Sequence, residues 1–307
     1  MHTKEQEKIG EILLLFDVII FSLFPILINY TSKLIPPILF AGLSNVLAGL
    51  TMFIYSLATG KFKEFQNRKA LKYSLMVTVF IIIIPSIFIY PGTKLTSGVN
   101  TTIFFQVETF AALFFCALFL KEKITKIKLI GATLISLGAV VVLYNGDFSL
   151  NVGDLLIIIG TVIYPIGNIF AKKGLNEVSP QIIICIRSAV GGVALILISL
   201  IFEKTFGHIS GNINKVLPYI LINGIIIMGL SKILWYEGLK RMEISKATAL
   251  TMSYPALSLI FGYFLLKEVP SPYQFSGLIL VIAGVITITR FSRKRQNPDI
   301  LQTSNTP

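Results

Sequence analysis

Four ionisable side chains lie inside long apolar segments of this sequence: Asp17, Glu108, Arg187 and Lys232. A charged group is costly in such a segment, which makes each of them a candidate for function. Glu108 lies about 12 residues from the basic end of its segment, or about 18 Å deep at the rise of a helix. A short carboxyl group at that depth cannot extend to water. It could hold a substrate ammonium group or a proton, or it could join neighbouring helices through hydrogen bonds.

Asp17, Arg187 and Lys232 share a similar depth, nearer to one end of their segments. Long basic side chains extend to water over about 10 Å, so both bases could instead anchor the ends of their helices. Asp17 could pair with a nearby base or face a water-filled vestibule. A charge-paired cluster would satisfy all three groups, with Glu108 lying deeper.

Polar and aromatic residues of the same segments complete the predicted binding site. Amide and hydroxyl groups can bond a substrate and rings can stack on it, although helix packing is the commoner role of a single ring. The predicted substrate-binding residues are Asp17, Gln106, Glu108, Tyr164, Asn168, Arg187, Lys232, Trp235 and Tyr254. No metal or cofactor is predicted, because the two cysteines lie in apolar segments and the two histidines lie outside them.

The composition indicates which elements position these residues. Hydrophobic residues make up 54% of the 307 positions and charged residues only 14%, whereas a soluble domain has about a quarter charged residues. The apolar residues form runs of the length that a helix needs to cross about 30 Å of hydrocarbon. Because lipid offers the backbone no hydrogen-bond partners, each run must be a helix. The predicted fold class is an all-α integral membrane protein.

Ten apolar segments predict ten transmembrane helices joined by short loops. They are 10–29, 36–58, 71–91, 97–120, 126–144, 153–172, 180–202, 215–237, 245–266 and 272–290. Four prolines within them are expected to interrupt helices and to mark bends or a cavity. These prolines are Pro25, Pro85, Pro165 and Pro255.

Basic residues are concentrated in alternate loops. With a cytoplasmic N-terminus, 20 of the 27 Lys and Arg residues fall on the cytoplasmic side and 5 fall outside, as the positive-inside rule requires. The sequence therefore predicts a plasma-membrane protein with both termini in the cytoplasm. The excess of Lys and Arg in the cytoplasmic loops also accounts for the net charge of +12. Nucleic-acid binding is therefore not predicted from this charge.

The chain repeats itself in its second half. Leu120-Lys121-Glu122 matches Leu266-Lys267-Glu268 at an offset of 146 residues, and Gly10-Glu11 matches Gly153-Asp154 at an offset of 143. At the first offset the aromatic and glycine positions also match, and the glycines are expected at close helix contacts. These pairs are Tyr90 with Tyr236, Gly131 with Gly277, and Gly138 with Gly284.

Five spans per repeat is an odd number, so the two halves must be inverted relative to each other. The predicted organisation is a first repeat of five helices in 1–146, a second in 147–292, and a polar cytoplasmic tail in 293–307.

The repeated pattern resembles that of the EamA family in the drug/metabolite transporter superfamily. An aromatic-glycine pair, an apolar helix ending in Leu-Lys-Glu and a helix with two glycines seven residues apart occur in Tyr90–Val140 and again in Tyr236–Val285. The resemblance implies ten helices and transport of small metabolites, including amino acids and drugs. Arg187 matches an arginine that members often carry early in the seventh helix. The second copy keeps a mid-helix proline, Pro255, where the first has Thr109.

The predicted function is a secondary transporter of small metabolites, amino-acid-like or drug-like, that works by alternating access. No nucleotide-binding motif is present to couple transport to ATP, so protons are a candidate coupling ion through Glu108 or Asp17. The alternatives are a membrane-embedded receptor or scaffold and an integral-membrane enzyme. An enzyme is not predicted, because the loops carry no His cluster or acidic metal motif. The predicted partners are a small-molecule substrate and the lipid bilayer, and the oligomeric state is left open.

Overall fold

The computed structural model describes residues 4–96, 98–143, 151–203, 213–261 and 271–291, and the regular structure of these residues is helical. The helices are α1 (Lys4–Phe21), α2 (Phe24–Thr31), α3 (Pro37–Ala58), α4 (Arg68–Val77), α5 (Ile84–Leu95), α6 (Gly98–Phe105), α7 (Val107–Leu120), α8 (Lys126–Leu143), α9 (Val152–Gly174), α10 (Pro180–Phe202), α11 (Ile213–Leu221), α12 (Ser231–Arg241), α13 (Ile244–Thr251), α14 (Tyr254–Phe261) and α15 (Pro272–Ile286). They follow the ten predicted segments in order, which confirms the fold class. The predicted tail 293–307 and the repeated Lys267-Glu268 lie outside the described residues.

Eight helical segments among the described residues are long and apolar enough to cross a membrane. Four of these segments each contain two consecutive helices: α1 with α2, α4 with α5, α6 with α7, and α11 with α12. The other two predicted spans correspond to α8, which has 18 residues, and to α13 with α14, described as far as Phe261.

Three of the four prolines lie where the structure interrupts a helix. α1 and α2 separate just before Pro25, α13 and α14 separate just before Pro255, and a π-helical stretch precedes Pro85. The prediction for Pro165 is wrong, because α9 continues through it. Proline removes only one backbone donor, and neighbouring helices pack along α9 on both sides of this residue.

The interruptions recur at equivalent places in the two halves. Gln106 separates α6 from α7, and Met252, 146 residues later, lies between α13 and α14. The Gln106 side-chain amide donates a hydrogen bond to the Met252 carbonyl oxygen at 3.2 Å, so the two breaks touch. π-helical stretches likewise occupy Thr78–Ile83 and Ile222–Leu230 in the equivalent third and eighth spans. The predicted inverted repeats are thus visible in the backbone.

Four helix pairs form the body of the protein: α3 with α10, α5 with α9, α1 with α12, and α8 with α15. Glycines allow the backbones of these pairs to approach closely. A Cβ atom on Gly138 would lie 2.7 Å from the Gly277 carbonyl oxygen, and one on Gly277 would lie 2.8 Å from that of Gly138. The same contact is made by Gly131 with Gly284, at 3.2 Å. These positions confirm the prediction that the repeated glycines are helix contacts.

Two glutamates cap equivalent helices from opposite ends of the bundle. Glu64 accepts hydrogen bonds from the Ser179 backbone N–H at 2.6 Å and hydroxyl at 3.0 Å, where α10 begins. Glu203 accepts from two backbone N–H groups at the start of α3, at 3.0 and 3.1 Å. Burial raises the pKa of Glu64, but its hydrogen bonds from Ser179 and Lys61 lower it more, and the pKa lies below its ordinary value. Carboxylates at helix N-termini stabilise the exposed N–H groups there.

Contacts between loops define two ends of the bundle. At one end Lys246 contacts Glu7, and Glu122 accepts from the backbone of Ile244. These contacts join the start of α1, the loop after α7 and the start of α13, and this end, where the basic loops meet, is named the basic end. At the other, named the opposite end, the Asn29 amide donates to the Thr93 carbonyl oxygen at 2.9 Å.

Candidate functional site

A cavity lies between the two halves, beside the touching breaks of α6–α7 and α13–α14. It contains about 810 Å³ of space not filled by protein atoms, part of it open to the surroundings. Both repeats contribute to its walls. Its residues with polar side-chain atoms are Asn45, Ser86, Tyr90, Glu108, Tyr164, Asn168, Arg187, Lys232, Trp235 and Thr251, and its apolar wall includes Phe21, Phe24 and Phe105.

The structure brings six of the nine predicted site residues to this cavity. They are Glu108, Tyr164, Asn168, Arg187, Lys232 and Trp235. Gly92, Gly153 and Gly160 let α9 pack closely against α5. In this position Tyr164 and Asn168 of α9 line the cavity. The remaining three predicted residues lie behind the wall.

Gln106 and Tyr254 support the wall of the cavity. The Gln106 amide is used in the hydrogen bond to Met252 that joins the two broken spans. The Tyr254 hydroxyl donates to the Thr102 carbonyl oxygen at 3.4 Å, and its ring packs edge-on against Phe21 with 5.4 Å between centroids. Both contacts connect the first half to the second, so these residues shape the cavity from outside it.

Asp17 reaches the cavity only through Lys232. The Asp17 side chain is fully buried, and its Oδ1 lies 3.2 Å from the Lys232 Nζ. The Ser231 hydroxyl donates to the same oxygen. The ammonium group also lies 4.3 Å from the centre of the Phe21 ring, where a cation interacts favourably with the π electrons. Lys232 is therefore a wall residue whose charge is already compensated.

Arg187 does not join the predicted cluster with Asp17. Its Nη1 donates to the Tyr236 hydroxyl at 3.0 Å, and its guanidinium carbon lies 5.1 Å from the centre of the same ring. Among the described residues, its Nε has no hydrogen-bond partner. The predicted depth of Arg187 in α10 does not determine the face of the helix on which it lies, and this face meets α12 at Tyr236. The planar guanidinium suits such stacking.

Glu108 faces the cavity at the first turn of α7, just after the break at Gln106. No described residue donates a hydrogen bond to its carboxyl group, and its nearest electrostatic partner is Lys232. Tyr164, which lines the same cavity, interacts electrostatically with both Glu108 and Arg187. Glu108 and Arg187, neither of which forms an ion pair with a described residue, therefore face the same cavity.

Sequence reasoning missed two groups of site residues. Tyr236, which holds Arg187, was recognised only as the repeat partner of Tyr90, and Tyr90 itself lines the cavity. Asn45 also lines it; its amide donates to the Ala41 carbonyl oxygen at 2.9 Å, while its Oδ1 has no partner among the described residues. An asparagine inside an apolar helix, next to the residue equivalent to Arg187 in the other repeat, was the signal that could have identified it.

The sequence model of the EamA-like transporter family matches this chain twice, over residues 8–144 and 151–290. The chain belongs to this family. An uncharacterized transporter of Archaeoglobus fulgidus is 26% identical over 269 residues, covering 86% of this chain and 92% of its own. The uncharacterized transporter YoaV of Bacillus subtilis is 24% identical over 266 residues, covering 85% and 90%.

Two further proteins are similar to this chain. Human solute carrier family 35 member G1 is 27% identical over 133 residues, covering 43% of this chain and 35% of its own. A crystal structure superposes on 94% of this chain and 98% of its own with a TM-score of 0.77 and 17% identity, which shows the fold alone. This protein is thus a multi-pass membrane protein of a transporter family.

Proposed function

We propose that this EamA-family protein is a secondary carrier of small organic solutes that works by alternating access between its two inverted halves. The observation that supports this proposal is the cavity at the contact of the two broken spans, in which neither Glu108 nor Arg187 forms an ion pair with a described residue. A scaffold has no need for uncompensated charges in lipid, where each is costly. In a carrier, such charged groups contact water when the cavity is empty and bind the substrate when it enters.

The charges of the cavity favour an amino-acid-like solute over other organic molecules. Glu108 would bind an ammonium group and Arg187 a carboxylate, because the charge of Lys232 is already neutralised by Asp17. The rings of Phe24, Phe105 and Trp235 would contact an apolar side chain. Glu108 also offers a place for a proton when no ammonium group is bound, which would couple transport to a proton gradient.

We also propose that the protein lies in the plasma membrane with both termini in the cytoplasm. The basic end carries most of the Lys and Arg residues of the loops, and such loops remain on the cytoplasmic side. The first repeat, 1–146, and the second, 147–292, would then be the two bodies that move relative to each other during transport.

A flux measurement in proteoliposomes tests the carrier proposal. Labelled amino acids, nucleosides and cationic drugs are compared with and without a pH gradient, for the native protein and for Glu108→Gln. We expect flux of a zwitterionic solute that falls about tenfold or more in the variant, because a neutral amide cannot neutralise an ammonium group. The matched control is Glu177→Gln, an exposed glutamate just after α9.

Two results would contradict the proposal. If the native protein moves none of these solutes, it is not a carrier of the class proposed. If Glu108→Gln transports at the native rate with the native pH response, Glu108 is neither a substrate site nor a proton site.

A further inference from the structure

The loop between α12 and α13 is held by charged contacts from four other elements. Lys246, in the first turn of α13, is 2% exposed and lies 2.6 Å from Glu7 and 2.7 Å from Glu11 of α1. The Glu122 carboxylate accepts from the Ile244 backbone N–H at 3.0 Å and from the Ser245 hydroxyl at 2.6 Å. These contacts tie the start of α13 to the first repeat.

Two more lysines complete this set of contacts. Lys128 of α8 pairs with Glu243, directly before α13. Lys172 of α9 donates to the carbonyl oxygen of Met242. The segment Met242–Lys246 is therefore clamped from α1, the loop after α7, α8 and α9, and this set of contacts is named the basic-end clamp.

The clamp is connected to the cavity by one short helix. α13 has eight residues, all of them buried, and eight residues of helix span about 12 Å. Lys246 lies in its first turn, while Thr251 at its end and Met252 just beyond it line the cavity. α13 is also separated from α14 by the break before Pro255. It can therefore move as a unit, and its movement would open the basic end and change the cavity wall together.

The inverted repeat places equivalent contacts at the opposite end, where asparagine replaces lysine. Lys246 is equivalent to Asn100, and Glu11 to Asp154; Asn100 donates to Asp154 at 3.5 Å. In the same way Lys172 is equivalent to Asn29, whose amide donates to the Thr96 carbonyl oxygen at 3.2 Å. Within the residues that the structure describes, the equivalent contacts are made by lysines at the basic end and by asparagine amides at the opposite end.

We propose that the basic-end clamp is an ionic gate, with Lys246 as its central residue, which makes the carrier rest closed at the basic end. Separating the buried Lys246 from two carboxylates leaves three charged groups without partners, which costs more than separating the neutral Asn100 amide from the single carboxylate of Asp154. The opposite end therefore opens more readily, and substrate meets the cavity there first. This inference rests on the proposed alternating access, because it assumes that the two ends open in turn.

Thiol labelling of the cavity from each side tests the gate. Ser86, a small residue of the cavity wall, is replaced by cysteine in a background in which the two buried cysteines, Cys116 and Cys185, are alanine. A membrane-impermeant maleimide is added to one side of sealed vesicles. We expect slow labelling from the basic end, and labelling about threefold or more faster when Lys246→Met removes the central charge and shifts the conformational equilibrium.

Matched variants separate a gate from a purely structural contact. Lys246→Met leaves the carboxylates of Glu7 and Glu11 close together without a counter-charge. The triple variant Glu7→Gln, Glu11→Gln and Lys246→Met removes all three charges. We expect it to speed labelling from the basic end by the same factor. Asn100→Lys builds the ionic contact with Asp154 at the opposite end. It is expected to slow labelling from that end and to speed labelling from the basic end.

Unchanged labelling rates in both Lys246 variants would overturn the gate, as would an Asn100→Lys variant that labels like its parent. The measurement needs no substrate. A failed flux screen together with the expected labelling changes would therefore refute the proposed substrate class and support the gate. Normal flux together with unchanged labelling would refute the gate and support the proposed substrate class.

Discussion

Charge compensation differs sharply among the four ionisable residues of the cavity region. Asp17 and Lys232 neutralise each other at 3.2 Å, whereas Arg187 is held by the uncharged hydroxyl and ring of Tyr236. Glu108 faces the cavity with no hydrogen-bond donor among the described residues. Removing either Asp17 or Lys232 should therefore affect stability more than substrate binding. Altering Tyr236, which holds Arg187, should affect substrate binding more than stability.

Asp17→Asn should destabilise the protein, because it leaves the Lys232 ammonium group buried without a counter-charge. The expected loss is about 3 kcal/mol of unfolding free energy, measured as a lower Tm in detergent micelles. The double variant Asp17→Asn with Lys232→Met should recover most of that loss, since it removes both charges. A single variant as stable as the native protein would show that Asp17 does not hold Lys232.

Tyr236→Phe should weaken substrate binding without unfolding the protein. The ring that stacks on Arg187 remains, but the hydroxyl that positions its Nη1 is lost. For the solute identified in the flux screen we expect KM to rise about tenfold while kcat changes less. Tyr55→Phe, on an exposed face of α3, is the control. Equal kinetics in the two variants would mean that Tyr236 does not position Arg187.

At the scale of the helices, the sequence predicted the number and order of the spans because each must present a long apolar run to lipid. It predicted the cavity less completely. Apolar periodicity does not reveal which face of α10 meets α12, so the contact of Arg187 with Tyr236 was not foreseen. Prolines indicated the breaks at Pro25 and Pro255, but the break at Gln106 carries no proline and is visible only as the repeat equivalent of Met252.

Gly138→Ala should loosen the pair formed by α8 and α15. The added Cβ would lie 2.7 Å from both the Gly277 carbonyl oxygen and the Val281 backbone nitrogen, and backbone atoms cannot rotate away as a side chain can. We expect a loss of about 2 kcal/mol, measured as a lower Tm in the same detergent.

Gly98→Ala is the matched control for that substitution. A Cβ at Gly98 would meet nothing closer than the Asn29 Cβ at 3.6 Å, which is an ordinary contact, so this variant should unfold near the native temperature. If the two alanine variants unfolded at the same temperature, close approach at Gly138 would not be required for stability.

At the scale of the whole molecule, the inverted repeat explains both how the two halves are alike and how they differ. The third and eighth spans carry equivalent π-helical stretches, the fourth and ninth carry equivalent breaks, and the repeated glycines make reciprocal contacts. The charges do not follow this symmetry. In the part of the chain that the structure describes, lysines contact the loops of the basic end where asparagines make the equivalent contacts at the opposite end. The basic loops are concentrated at the basic end. Under the proposed orientation and the proposed gate, this asymmetry of charge would set the side of the membrane that each end faces and the direction in which the resting carrier opens.

Single-cysteine labelling in cells tests this orientation. In the background lacking Cys116 and Cys185, Lys33→Cys at the opposite end and Lys123→Cys at the basic end introduce exposed thiols. A membrane-impermeant maleimide should label Lys33→Cys in intact cells and Lys123→Cys only after the membrane is permeabilised.

Glu177→Cys makes the same test for the second repeat. This exposed residue follows six spans and Lys123 follows four, so both should be labelled only after permeabilisation, because an even number of crossings returns the chain to the side where it began. Lys33 and Glu177 each follow the first span of their own repeat, so labelling of Lys33→Cys and Glu177→Cys from one side would be incompatible with the inverted halves. A third result is that Lys123→Cys and Glu177→Cys are labelled in intact cells while Lys33→Cys is not. This result would agree with the fold but would reverse the proposed orientation, because the basic end would then face outward.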